Sequence, residues 1–102
     1  MVIDWARVPV LEGVRKLAGD GFITGASGRN WAGYGDAIRL PAGFAAVEQA
    51  LLTDPQTSGG LLVSCTRSEA DRVLEVFRAH GFAQAAVIGE CVASAAPRVL
   101  VR

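Results

Sequence analysis

Asp54 to Leu62 reads DPQTSGGLL, the stretch of this chain whose residue types are best suited to holding an anion. The adjacent Gly59 and Gly60 let successive backbone N–H groups converge, with no Cβ to keep a negative group at a distance. Thr57 and Ser58 add hydroxyl donors, so the loop could hold a phosphate. Asp54 and Gln56 could orient it, reach a metal through water, or cap the end of a preceding helix. An ordinary turn accounts for the same residues, because Asp-Pro and Gly-Gly punctuate loops that bind nothing. Residue types alone leave both open.

A second candidate, SGRNWAGYG from Ser27 to Gly35, gathers Arg29, Asn30 and Tyr34 among glycines. Guanidinium and amide donors side by side suit an oxyanion or the polar edge of a substrate. The competing reading is a surface loop that Trp31 and Tyr34 pin to the core. Other residues carry less chemistry. His80 is the one histidine, with no cysteine or carboxylate at ligand spacing, and its place is the surface of a helix end. Cys65 and Cys91 fall in or beside expected strands and read as inert packing residues. No catalytic residue is assigned, no acid–base pair of carboxylates and no metal site.

Composition bounds what such a loop could belong to. The chain has 102 residues, 51% of them hydrophobic, with ten basic and ten acidic side chains balancing to no net charge. That apolar content drives folding, and the length supports one core, hence one domain over residues 1–102. Scattered basic residues at zero net charge exclude the broad electrostatic footprint of a nucleic-acid or membrane-surface binder. Two distant cysteines make neither a disulfide framework nor a zinc site with CxxC spacing. No stretch has the length of a membrane span, and the opening residues lack a signal-peptide layout, so a cytoplasmic location is expected.

The elements that would position these loops follow from periodicity. Val2 to Val8 reads as a strand ending at Pro9, which then starts a helix with Leu11, Val14, Leu17 and Ala18 on one face. The glycine-studded stretch from Asp20 to Asp36 favours no regular element. Pro41 to Leu52 reads as a second helix, and Leu61 to Cys65 as a buried strand. Ser68 and Asp71 form an acidic capping box for a helix carrying Ala70, Val73, Leu74 and Phe77, closed by Gly81. Ala85 to Val92 and Arg98 to Val101 are two last strands around an SAAP turn. The expectation is an α/β (α+β) fold, a single layered domain with helices packed on a mixed sheet.

LLTDPQTSGGLL, Leu51 to Leu62, resembles the signature of selenophosphate synthetase (selenide, water dikinase), and GRNWAGYG, Gly28 to Gly35, resembles the loop that precedes it there. Order and separation agree, and so do VIGECV, Val87 to Val92, and PRVLV, Pro97 to Val101. The resemblance covers nearly the whole chain but only about the last third of that two-domain enzyme, which is related to aminoimidazole ribonucleotide synthetase. The family's catalytic cysteine or selenocysteine, its lysine, its metal-binding aspartates and its TDVTGFGLLGH stretch have no counterpart among these 102 residues.

The resemblance implies a carboxy-terminal domain, truncated at its start, that closes over ATP held mainly by an amino-terminal neighbour. The complete enzyme uses ATP and magnesium to turn selenide and water into selenophosphate, AMP and phosphate. Thr57, Ser58, Gly59 and Gly60 would then line the phosphate cleft, Asp54 and Gln56 would hold the loop in shape, and Arg29 and Asn30 would form the second wall. ATP and magnesium would not bind these residues tightly by themselves, and the chain alone would be inactive. Its expected partners are the missing ATP-binding domain and, through uncovered apolar surface, further copies of itself. The alternative is a free-standing, non-catalytic module of the same fold that binds anions or another protein.

Overall fold

The two ends of the chain lie side by side in one sheet. In a computed structural model describing residues 1–96 and 98–102, β1 (Val2–Ile3) runs parallel to β4 (Val99–Val101) and antiparallel to β3 (Gly89–Glu90). β2 (Ile38–Arg39) pairs in parallel with β4, so the order is β2-β4-β1-β3. Val2 stands opposite both Leu100 and Glu90. Gly89 is required by the closeness of β1, since a Cβ there would lie 2.0 Å from the Val2 carbonyl oxygen. Pro97, which belongs to the expected SAAP turn and to PRVLV, lies outside the described residues.

Among the described residues four α-helices accompany the sheet: α1 (Val14–Gly19), α2 (Gly25–Tyr34), α3 (Ala46–Leu52) and α4 (Ala70–Ala79). α3 meets both α1 and α2. Trp5 ties α1 and α3 to the sheet. Its indole N–H donates to Glu48, which also accepts from Arg15, and the Arg15 guanidinium carbon stands 5.1 Å from the Trp5 ring centroid. Phe44 meets the same ring edge-on at 6.3 Å. Trp5, Ala18 and Val101 are the buried apolar residues among those described. The fold is the expected mixed sheet with helices, and no helix among the described residues is long and apolar enough to cross a membrane.

Several elements differ from expectation, each for a physical reason. The first strand stops at Ile3 because the backbone turns into a 3-10 helix at Trp5–Arg7, which swings the indole inward. α1 and α3 start later than their prolines, at Val14 and Ala46, leaving Leu11 exposed and Phe44 free to pack on Trp5. Leu61 to Cys65 forms no strand, and its amides join no ladder; a strand exists only through a paired neighbour, which this run lacks among the described residues. Ala85 to Val92 pairs only over Gly89–Glu90 for the same reason, and the last strand begins at Val99. The capping box is absent, since Ser68 sits within a 3-10 turn and its hydroxyl meets that of Thr66 at 3.1 Å. α4 does end as expected, with Gly81 at φ +88° and the His80 ring nitrogen Nδ1 2.8 Å from the Val76 carbonyl oxygen.

An ion pair fastens the joined ends: Arg102 Nε donates to Asp4 at 2.6 Å. That bond, reinforced by the guanidinium charge, holds the Asp4 carboxyl below its ordinary value against a smaller opposing effect of desolvation. A depressed carboxyl stabilises the fold above its unfolded pKa, about 3.9, and the benefit is lost as pH falls through the folded value. Wild type should therefore exceed Asp4→Asn in urea midpoint at pH 7 and lose that lead in acid below about pH 4. A lead that persists at low pH would show that Asp4 acts through packing instead.

Candidate functional site

The stretch expected to lack regular structure is a helix. α2 covers Gly25–Tyr34 despite glycines that each cost about 1 kcal/mol of helix propensity. What outweighs them is a face at helical spacing: Ser27 is buried, Asn30 and Trp31 are half-buried, and α3 lies against them. Tyr34 stays exposed, so of the two aromatics only Trp31 is drawn inward; a Cβ on Gly35 would come within 2.9 Å of its ring.

α3 ends where the glycine loop begins. Thr53, 3% exposed, turns its hydroxyl back onto the Gln49 carbonyl at 3.0 Å and closes the last turn. Its own carbonyl accepts the Asn30 side-chain amide at 2.8 Å. Asn30 is thus tied to the base of the loop and not aimed across a cleft. Next in the chain, Asp54 Oδ1 accepts from Thr24 at 3.3 Å and from the 2% exposed Ser27 at 3.4 Å, while Oδ2 accepts from Gln56 Nε2 at 3.1 Å. Of the offices open to Asp54 and Gln56 on sequence, the contacts observed are those of a clamp.

Beyond the clamp the loop stands in solvent. Pro55 to Gly60 are exposed; Thr57 and Ser58 form a turn, and among the described residues the amides of Gln56, Thr57, Ser58 and Gly60 donate to no protein backbone group. Neither Gly59 nor Gly60 adopts a positive φ. Gly59 is nevertheless constrained, because a Cβ there would lie 2.8 Å from Gln56 Cβ, whereas one on Gly60 would meet open space. The loop thus offers free N–H and hydroxyl donors on a fixed base, a donor set that fits phosphate oxygens. Among the described residues no three of histidine, cysteine, aspartate and glutamate come together.

Arg29 is exposed and forms no ion pair among the described residues; its guanidinium bends back toward Gly25. Arg29 and Asn30 therefore part company, one in solvent and one at the loop's base, as adjacent positions on a helix must. A cleft of about 190 Å³ between α2 and α3, lined by Ser27, Trp31, Gln49 and Thr53 among others, adjoins the clamp. A larger hollow of about 660 Å³ lies beside Met1, Cys91 and Val99 and includes none of the expected site residues. Thr24 and Thr53 lie outside both candidate stretches, and Ser27 opens the second without a role of its own. The signal for Thr24 and Ser27 is their T-x-x-S spacing, legible only once Gly25–Tyr34 is read as a helix.

Both cysteines contradict the packing role expected of them, being exposed and unpaired. The strand that would have buried Cys65 is not formed.

Comparison with known proteins then bears on the whole chain. The model of the AIR synthase related protein, C-terminal domain, matches residues 1–102. The chain is 57% identical over 99 residues to a selenide, water dikinase of Pseudomonas straminea, covering 97% of the chain and 28% of that protein. It is 60% identical over 88 residues to one of Burkholderia cenocepacia (86% and 25%), and 47% over 96 residues to one of Rhizobium meliloti (94% and 28%). It spans about a quarter of the length of these curated relatives. The resemblance to selenophosphate synthetases noted from two motifs thus holds along nearly all of the sequence, and the chain belongs to the family of AIR synthase related protein C-terminal domains.

Proposed function

We propose that this chain is the carboxy-terminal domain of a selenophosphate synthetase and supplies the glycine loop to the phosphate side of its ATP cleft. The observation that carries the proposal is the clamped loop itself: free amides on Thr57, Ser58 and Gly60 over a base fixed by Asp54 and Asn30, in a stretch that lies inside the part of the chain matched to a selenide, water dikinase. The overall reaction joins selenide, ATP and water to give selenophosphate, AMP and phosphate. Phosphoryl transfer relies on positioning and charge stabilisation, which a backbone loop can provide without a charged side chain. Thr57, Ser58, Gly59 and Gly60 donate to phosphate oxygens, Asp54 and Gln56 keep the loop's shape, and Arg29 supplies positive charge from α2. Asn30 serves this site from beneath by holding the Thr53 carbonyl.

ATP and magnesium are held chiefly by an amino-terminal ATP-binding domain, the principal partner, and the working location is the cytoplasm. Titrating the 15N-labelled chain with phosphate, AMP and ATP is expected to move the Gly59 and Gly60 amide resonances. Amides that stay in place at saturating ligand would remove the loop from phosphate contact in the isolated domain. The 102 residues alone are expected to release no AMP from ATP and selenide; such release would overturn the division of labour.

The same reading accounts for the apolar surface. Leu61, Phe22 and Leu11 are 80%, 74% and 72% exposed, and the radius of gyration, 14.7 Å, exceeds the roughly 13 Å of a tightly packed chain of this length. Such surface drives association when no partner covers it. The isolated chain is expected to elute from size exclusion earlier as its concentration rises, and a strict monomer at high concentration would refute this.

A further inference from the structure

We propose that Cys65 and Cys91 form a reversible disulfide that displaces the glycine loop. Both thiols are exposed and free. Two independent contacts hold their segments together: Ser64 Oγ lies 3.6 Å from Cys91 Sγ, and Arg67 Nη2 lies 3.4 Å from Glu90 Oε2. Cys65 sits between the two tethering residues on one segment, and Cys91 beside Glu90 on the other. Cys91 also borders the open hollow next to Met1 and Val99, where a small oxidant has access.

As it stands, Ser64 occupies the place opposite Cys91. A slip of one residue puts Cys65 there, and consecutive Cα atoms are about 3.8 Å apart. In a paired strand that slip would reverse every side chain and break the ladder. Here it breaks none, because Leu61 to Cys65 makes no backbone hydrogen bond among the described residues. The slip draws chain from Thr66 and crowds one surplus residue into the stretch before Cys65, where Gly59 and Gly60 are exposed. Oxidation therefore changes the loop's geometry through the chain itself. The disulfide and its effect on the loop stand apart from the phosphate reading.

With a low-molecular-weight disulfide such as oxidised glutathione as oxidant, one cysteine thiolate attacks a glutathione sulfur and expels one glutathione thiolate, leaving a mixed disulfide. The second cysteine thiolate attacks the protein-side sulfur and expels the other glutathione. Two protein thiols lose two electrons and two protons, and one oxidised glutathione becomes two reduced ones.

The test is exposure of the dilute chain to oxidised glutathione, followed by blocking of free thiols and non-reducing peptide mapping. The expected product is a monomer with a Cys65–Cys91 linked peptide, its free thiols falling from two to none and returning with dithiothreitol. Cys65→Ser and Cys91→Ser should each yield only the glutathione adduct of the remaining cysteine. Two glutathione adducts on wild type, or disulfides only between chains, would overturn the pairing. Oxidation without any phosphate should also shift the Gly59 and Gly60 amide resonances; a linked protein with those resonances unmoved would overturn the displacement of the loop.

Discussion

Gly59→Ala is expected to lower selenide-dependent AMP formation by the intact synthetase about 100-fold, while Gly60→Ala, one residue away, leaves most of the activity. The difference comes from what each new Cβ would touch. At position 59 it would lie 2.8 Å from Gln56 Cβ, an atom fixed to the backbone that no rotamer change can move aside. The loop must open, and Gln56 is one half of the clamp on Asp54. A loop that works by placing donors at phosphate oxygens loses most of its effect when displaced by an ångström. At position 60 the added methyl meets open space. The residues from Pro55 to Gly60 are exposed, so neither substitution should shift the urea midpoint much. Full activity in Gly59→Ala would sink the positioning role, and a large loss of stability would mean the loop supports the fold instead.

Trp5→Ala should have the largest effect on stability, about 3–5 kcal/mol, a sizeable part of the 5–15 kcal/mol that holds a typical domain. Trp5 is 9% exposed and joins the strand end to two helices, through Glu48 on α3, the Arg15 guanidinium on α1 and the ring of Phe44. Truncation leaves a cavity at that junction and deprives Glu48 of one of its donors. Trp5→Phe keeps the apolar ring and loses the indole N–H, so about 1 kcal/mol is expected. Urea denaturation of the two variants separates the terms. An alanine variant as stable as the phenylalanine one would show that the ring's packing contributes little.

Burial of the kind that makes Trp5 so prominent also explains which elements could be read in advance. α4 was legible because its apolar residues recur at helical spacing and a glycine closes it. α2 was not, because its inward face is Ser27, Asn30 and Trp31, a pattern that hydrophobic periodicity passes over, and its glycines argue against a helix. Leu61 to Cys65 failed in the opposite sense. Its composition is that of a buried strand, yet pairing is a relation between segments and no composition can supply the neighbour.

For the site, DPQTSGG and GRN were singled out from residue types and spacing, and the family followed from their order. That much is local chemistry, because donors, glycines and turn residues carry their properties wherever they stand. Tertiary structure decided the rest: that Asn30 lies under the loop and Arg29 does not, that Thr24 and Ser27 complete the clamp on Asp54, and that only one of the two glycines is sterically obligatory. Those facts depend on which surfaces α2 and α3 press together, and such contacts join residues about 25 positions apart whose packing outweighs local preference.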